Sequence, residues 1–293
     1  MSISRQNLSI VIVTFKSEMV VHKCIKSIDK DIKIFVIENS NNSKFKEELE
    51  RIYKNVTCVL SSENLGMGAG NNIGIKKAKT DFVLILNPDV ILETATIEEL
   101  ILASKKILDF GILAPISADA NLPNYILGNY ENVDIKKDSF FKVKSVDGYA
   151  MLINLKRLNQ IDDFYYFDKN FFMYLENDDL CKRLNKKNEN IYIIPKSQIK
   201  HLGGQAVNDL YKTEIELSRN WHWIWSKFYF NKKHYGFLIA LLSGFPTFLS
   251  AILKSMFYSF TNKKKKDIYY HRALGYFNAL LGRKSNFRVK INN

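Results

Sequence analysis

The sequence predicts an α/β fold built on a mostly parallel sheet, and three observations predict it. Short apolar runs of the kind buried on both faces of a sheet recur at residues 8–15, 33–37, 56–60 and 82–86. Helix-period stretches separate them, which makes βαβ units with right-handed crossovers. The fourth run stops at Asn87-Pro88-Asp89, where proline ends the ladder and leaves a carboxylate at the carboxyl end of a central strand.

Length and charge bound what such a fold can serve. A chain of 293 residues holds one large α/β domain, expected over 1–215, and a helical, aromatic and basic C-terminal region over 216–293. The formal charge of +13 points to anionic partners: nucleotides, phospholipid head groups or nucleic acid. No zinc spacing or RNA-binding motif supports nucleic acid, so none is expected as a partner. Cys24, Cys58 and Cys181 are too widely spaced for a metal or disulfide pattern and read as small buried apolar residues of a reducing compartment. Residues 1–7 lack the apolar segment of a signal peptide, which predicts a catalytic part in the cytoplasm.

In chain order, the strand over 8–15 leads into a helix over 17–27 with Val20, Val21, Cys24, Ile25 and Ile28 on one stripe. The strand over 33–37 ends in the polar turn Glu38-Asn39-Ser40-Asn41-Asn42. A helix over 44–53 and a strand over 56–60 follow. Residues 64–74 read as a glycine-rich loop running into a helix that ends near 78–79. Gly66, Gly68, Gly70 and Gly74 match neither the dinucleotide fingerprint nor a P-loop, but they let backbone approach a ligand, and Asn64, Asn71 and Asn72 offer amides. Beyond the Asn-Pro-Asp strand come a helix over 94–108, a strand over 111–113, an irregular polar stretch over 119–138, and Asp147-Gly148-Tyr149 ahead of an apolar run to 154.

Three places carry chemistry. Asp89 either caps the next helix or, at a strand end where α/β sheets bind ligands, holds a divalent cation. Glu176, Asp178 and Asp179 fall within four residues at a helix start, directly after Phe171-Phe172-Met173-Tyr174. On a helix Glu176 and Asp179 share a face and Asp179 pairs with Arg183; the acids also suit the positive end of the helix dipole. Aromatic surroundings bury Glu176 and suit it to act as a base. His201 lies between a strand end and Gly203-Gly204, and gains meaning as a partner to Asp89.

The order of these pieces resembles the family 2 glycosyltransferases of GT-A fold, in particular their bacterial rhamnosyltransferase-like branch, over residues 8–207. That resemblance implies a Rossmann-like mixed, mostly parallel sheet with flanking helices. It also implies inverting transfer of a sugar, rhamnose in that branch, from a nucleotide-diphosphate donor to a hydroxyl acceptor, aided by Mg²⁺ or Mn²⁺. By position, Thr14, Phe15, Glu38, Asn39, Asn64, Gly66, Asn71, Asn72, Asn87 and Asp89 bind the nucleotide sugar, and Asp89 and His201 hold the metal. Two departures matter. The metal motif has one carboxylate, so Asn87 is expected on ribose or diphosphate. Where relatives carry Glu-Asp-x-Asp this chain has Glu176-Asn177-Asp178-Asp179, which ranks Glu176 first as base, Asp179 second and Asp178 third. The competing reading is a non-catalytic basic module, bound to a membrane surface or nucleic acid, with a nucleotide-binding-like fold; such a module has no need of Asp89, Glu176 and His201 together.

The C-terminal region predicts membrane contact. Residues 221–230 are strongly aromatic, and residues 235–253 run 19 residues without a charge. Ser243-Gly244-Phe245-Pro246 breaks that run, and Lys263 to Lys266, Arg272, Arg283 and Lys284 beyond it argue against a single crossing. The expectation, with an ordinary helical subdomain packed on the GT-A core as the alternative, is two half-helices hinged at 244–246, lying peripherally or monotopically on the cytoplasmic side of the cell membrane. Aromatic residues then sit at head-group depth and lysines on anionic lipid, close to a lipid-linked or surface-polysaccharide glycan acceptor. Truncation near 233 is expected to raise solubility.

Overall fold

A computed structural model of the chain describes residues 2–288 except 120, 129–133, 135, 136, 204–206 and 208. Gly204 and part of the 119–138 stretch lie outside the described residues. The chain divides into two compact units, Met1–Phe167 with Asn177–Asn208, and Asp168–Glu176 with Asp209–Asn293.

In the first unit the apolar runs become strands, wholly buried over Leu8–Thr14 and Phe82–Leu86 and half-open at the edge strand Val56–Leu60. β1 (Leu8–Thr14) is followed by α1 (Glu18–Lys26), β2 (Lys33–Glu38), α2 (Ser43–Ile52), β3 (Val56–Leu60), α3 (Met67–Lys77) and β4 (Phe82–Leu86). Then come β5 (Val90–Leu92), α4 (Thr96–Lys106), β6 (Phe110–Ser117), β7 (Tyr125–Ile126), β8 (Phe141–Lys142), β9 (Ser145–Val146), β10 (Ala150–Asn154), α5 (Leu155–Leu158), α6 (Glu176–Lys186) and β11 (Asn190–His201). The main sheet runs β3-β2-β1-β4-β10-β6-β11-β5, with β8 against β11. β1, β2, β3 and β4 are parallel, as are β6 and β11. β10 enters between β4 and β6 antiparallel, and β5 pairs antiparallel with β11. An apolar run buries equally well in either direction, so periodicity carries no sign of this mixture. β11 runs on past Pro195, its ladder against β6 shifting between Ile194 and Gln198, as expected of a residue with no N–H to donate.

Alternate side chains of each strand fill two cores. Ile10, Ile12, Ile34 and Val36 meet Val21 of α1, Leu49 of α2 and Leu100 of α4 on one face. Val11, Val13, Phe35 and Ile37 meet Ile75 of α3, Leu158 of α5 and Leu184 of α6 on the other. Helices on both faces are what a parallel centre requires.

One expectation changes here. Gly68, Gly70 and Gly74 lie within α3 rather than in a loop. A Cβ on Gly74 would stand 2.2 Å from Val11 Cγ1, and one on Gly70 2.9 Å from Val13 Cγ1. Gly70 and Gly74 let α3 lie close against the Val13 and Val11 side chains of β1.

The second unit is helical: α7 (Lys212–Tyr235), α8 (Phe237–Tyr258) and α9 (Lys263–Leu280). Its core is Trp221, Ile224, Trp225, Phe228, Ala240, Tyr276 and Ala279. Trp221, Trp225 and Phe228, expected at head-group depth, are core residues instead. The expected hinge is also absent, for α8 is one helix with Pro246 inside it. Gly244 serves packing, since a Cβ there would lie 2.3 Å from Tyr276 Cε2. The Tyr276 hydroxyl donates to the Leu241 carbonyl (3.0 Å), close to where proline withholds a backbone donor.

Candidate active site

The strand order creates the site. From β3 the chain crosses back to β4 on the far side of β1, so the winding reverses between β1 and β4, where open α/β sheets bind ligands beyond their carboxyl ends. Thr14, Glu38 and Asn87 stand at the carboxyl ends of β1, β2 and β4, and β10, being antiparallel, brings its leading residues to the same edge.

Glu38 is wholly buried and organises the β1–β2 side. Thr14 Oγ1 donates to its Oε2 (2.5 Å), and the Ser40 amide (2.7 Å) and hydroxyl both donate to its Oε1. Burial pushes its carboxyl above the ordinary range, and the Ser40 and Thr14 hydrogen bonds draw it part of the way back. The amide of Phe15 donates to Ser17 Oγ (3.1 Å). Asn39 Nδ2 donates to the Gly66 carbonyl (3.2 Å), and Asn64 Oδ1 accepts from the Gly66 amide (3.1 Å). Gly66 has φ +80° and opens α3, a conformation that only glycine adopts without strain. Asn39 Oδ1 and Asn71 Oδ1 are buried and have no hydrogen-bond partner among the described residues. Asn72 differs: its amide donates to the Phe167 carbonyl (2.8 Å) and accepts from the Phe167 N–H (3.1 Å), so both ends hold backbone.

Asp89 caps no helix. Asn87 to Val90 is a tight turn closed by the Val90 N–H on the Asn87 carbonyl (3.1 Å), and α4 begins six residues beyond Val90. Pairing of β5 with β11 sets His201 opposite Val90, and this brings His201 Nε2 within 3.5 Å of Asp89 Oδ1. Asp89 is 2% exposed. The imidazole lies flat on the Tyr149 ring, 4.2 Å between centroids and 18° between planes. Asn87 Oδ1, Asp89 Oδ1 and His201 Nδ1 are buried without a hydrogen-bond partner among the described residues. Buried polar atoms are normally satisfied, so three orphans at one strand edge mark a place built for a ligand.

These residues fit a divalent cation. A separation of 3.5 Å is long for a hydrogen bond but of the order expected between two ligands of one ion. Among the described residues no group of three His, Cys, Asp or Glu side chains could hold a metal. Mg²⁺ needs no such cage; it is commonly held by one or two protein ligands together with water and substrate phosphates.

Asp147 and Tyr149 belong to this edge and were not singled out by sequence. Burial raises the Asp147 carboxyl, and the charge of His201 draws it back. Burial also raises Asp178, with Asp147 adding repulsion and the Ser145 hydroxyl opposing it. Beside them Asn177 Nδ2 donates to the Val146 carbonyl (2.9 Å). The available signal was Asp147-Gly148-Tyr149 at the head of a strand, which reads as a strand-end ligand site only once the antiparallel direction is known.

The acids of α6 separate by environment. Asp179 is fully buried and accepts from Arg183 Nε at 2.8 Å, while the same guanidinium caps the carbonyls of Tyr165 (2.7 Å) and Tyr166. Its carboxylate is therefore committed to a structural ion pair. Glu176 is buried at the first turn of α6, directly after Tyr174 (φ +71°) and Leu175 (φ +65°).

Comparison with known proteins decides the family. The model for glycosyl transferase family 2 matches residues 9–157, just over half of the chain. The chain belongs to glycosyl transferase family 2. Within family 2 it is 26% identical over 201 residues to the low-salt glycan biosynthesis hexosyltransferase Agl10 of Haloferax volcanii, covering 63% of this chain and 64% of that one. It is 25% identical over 214 residues to the rhamnosyltransferase WbbL of Escherichia coli K12, covering 64% and 80%. The chain thus spans just under two thirds of the hexosyltransferase. Among solved structures, S. aureus TarS 1-349 in complex with UDP superposes with a TM-score of 0.54 at 12% identity, covering 97% of this chain and 94% of that one. GalNAc-T7 with UDP, GalNAc and Mn²⁺ gives 0.52 at 17%, covering 74% and 51%. At such identities the likeness speaks for the fold alone, which is GT-A. The expected family and fold therefore hold.

Proposed function

We propose that this family 2 chain transfers a hexosyl or deoxyhexosyl group, rhamnose included, from a nucleotide-diphosphate sugar to a glycan hydroxyl, with inversion and with Mg²⁺ or Mn²⁺ bound. The observation that carries this reading is the buried Asp89–His201 pair at the reversal of the sheet, with its three orphaned polar atoms. Asp89 and His201 would hold the ion. Such an ion offsets the negative charge that builds on the departing diphosphate. Thr14, Phe15, Glu38, Asn39, Asn64, Gly66, Asn71 and Asn87 form the nucleotide-sugar side, while both ends of the Asn72 amide hold the Phe167 backbone. Glu176 takes the acceptor proton as the acceptor oxygen bonds to the anomeric carbon and the nucleotide diphosphate leaves with the bonding electrons. Attack from the face opposite the leaving group inverts the configuration. Asp179, whose carboxylate Arg183 holds, ranks second to Glu176 as the base, and Asp178, which does not share their helix face, third. The acceptor is a lipid-linked or surface-polysaccharide glycan at the cytoplasmic side of a membrane, a reading supported by the exposed apolar side chains of α8.

The test is release of nucleotide diphosphate from a panel of nucleotide sugars with Mg²⁺. Asp89→Ala should abolish transfer, and His201→Ala should raise the Mg²⁺ concentration needed. Glu176→Gln should lower turnover by roughly 10²–10⁴-fold while donor binding survives. Full activity in excess chelator would overturn the metal assignment. An active Glu176→Gln beside a folded, inactive Asp179→Asn would move the base.

A further inference from the structure

The residues leading into Glu176 are gripped by one stripe of α7. Within the second unit the segment Asp168–Glu176 meets this helix in reverse order, from Asp168 on Lys233 to Tyr174 on Trp223. At its start Asp168 Oδ2 accepts from Lys233 Nζ (2.7 Å) and from the Tyr229 hydroxyl (3.0 Å). Asp168 Oδ1 accepts from the Asn170 amide (3.0 Å) and from Asn170 Nδ2 (2.8 Å), which closes the turn. Phe171 packs edge-on against Tyr229, with centroids 4.9 Å apart. Phe172 lies on His222 at 4.4 Å, beneath the Arg288 guanidinium at 3.6 Å. The Met173 carbonyl accepts from Ser226 Oγ (2.8 Å), and Tyr174 meets the edge of Trp223 at 5.4 Å.

His222, Ser226, Tyr229 and Lys233 are spaced four, three and four apart, so they form one continuous stripe along α7. A stripe of hydroxyls and one cation matched to a carboxylate and a carbonyl does more than bury surface. The segment it holds ends in two consecutive left-handed residues, Tyr174 and Leu175, neither of them glycine. Such a pair persists only where its surroundings over-determine it. Released from α7, the pair would relax to ordinary φ values and turn the backbone that enters α6, moving its first residue, Glu176.

We propose that Ser226, Tyr229 and Lys233 of α7, with Asp168, are positioning residues for Glu176, so that the C-terminal helices are part of the catalytic apparatus rather than a separable anchor. This rests on the reading of Glu176 as the base.

The test uses the full chain, with nucleotide diphosphate release as the assay. Lys233→Met leaves Asp168 without its cation, and Ser226→Ala with Tyr229→Phe removes two hydroxyls at almost constant volume. Each should lower kcat by about 10–100-fold, in keeping with loss of a positioned proton acceptor. The donor KM should stay within twofold, and the acidic limb of the kcat–pH profile should move, because the environment of Glu176 changes. Lys233→Arg should restore most of the activity, since it keeps a cation on Asp168. If the folded Ser226→Ala/Tyr229→Phe chain keeps wild-type kcat while Glu176→Gln is inactive, the positioning role is wrong and the base stands. If Glu176→Gln is itself fully active, the base reading fails and the positioning role fails with it.

Discussion

His222 shows how far one buried side chain can tie stability to pH. It is 0% exposed, with Nδ1 2.8 Å from Ser285 Oγ and Nε2 2.8 Å from the Phe287 carbonyl. A carbonyl can only accept, so Nε2 carries the proton and Nδ1 accepts from the serine: the ring is neutral. Burial pushes its pKa down to about 3, the Phe287 carbonyl working against that and Arg288 with it. The folded value lies below the ordinary 6.5, so acid favours the unfolded chain, which takes up the proton first. This contribution is whole above about pH 6.5 and shrinks by up to about 1.4 kcal/mol for each pH unit below it, until the folded value is reached. The melting temperature should therefore fall between pH 7 and pH 5, and fall less steeply in His222→Gln. Equal slopes would show that the ring titrates freely. At the same scale, Asp89 was legible because Pro88 stops its strand and exposes a carboxylate there. Asp147 was not, since nothing local distinguishes it from an acid in a turn. Its meaning comes from β10 running backwards into the edge where β4 ends.

Among elements, α3 sets helix propensity against packing. Alanine in place of Gly74 should stabilise an isolated helix by about 1 kcal/mol. In this fold the added methyl would lie 2.2 Å from Val11 Cγ1, on a strand that cannot yield because β2 and β4 flank it. Overpacking of that kind costs about 1–3 kcal/mol, so packing wins. Gly74→Ala should lower the denaturant midpoint with an unchanged slope; a raised midpoint would mean that α3 has room to move. The apolar runs and helical stripes were legible because they answer to burial, which leaves a period in the sequence. The glycines of α3 leave none: a helix pressed onto a strand and a loop around a ligand ask for the same small residue. Strand direction in β5 and β10 was hidden for the same reason. In α8 the cue misled, because the helix runs through Pro246, whose missing N–H withdraws the one helical donor to the Leu242 carbonyl.

At the scale of the whole molecule, the second unit keeps an aromatic core and still leaves α8 largely bare. Leu238, Leu242, Phe245, Leu249, Leu253 and Met256 are each about half exposed or more, and their spacing places them on one stripe. Ala240 and Ala251 are its only buried residues, and among the described residues it is the one helix long and apolar enough to cross a membrane. An apolar stripe of this extent is rarely left to water. Lys263 to Lys266 open α9 a few residues beyond its end, a charge that would favour anionic lipid if the stripe meets a bilayer as proposed. Truncation near 233 is a poor test, because losing α8 and α9 would uncover Trp221, Trp225 and Phe228 and reduce solubility rather than raise it. Point changes serve better. The protein should sediment with phosphatidylserine-containing vesicles at low salt. Each basic residue near such a surface contributes about 1 kcal/mol, while the Debye length shrinks from ~30 Å at 0.01 M salt to ~3 Å at 1 M, so high salt should release part of it. Gln at all four positions 263–266 should weaken binding chiefly at low salt, whereas Leu242→Asp with Phe245→Asp should weaken it at every salt concentration. Complete retention at 1 M salt would favour a helix that crosses the bilayer over one that lies in its interface. A protein that stays in the supernatant at all ionic strengths would remove the membrane, and with it the reason to prefer a lipid-linked acceptor.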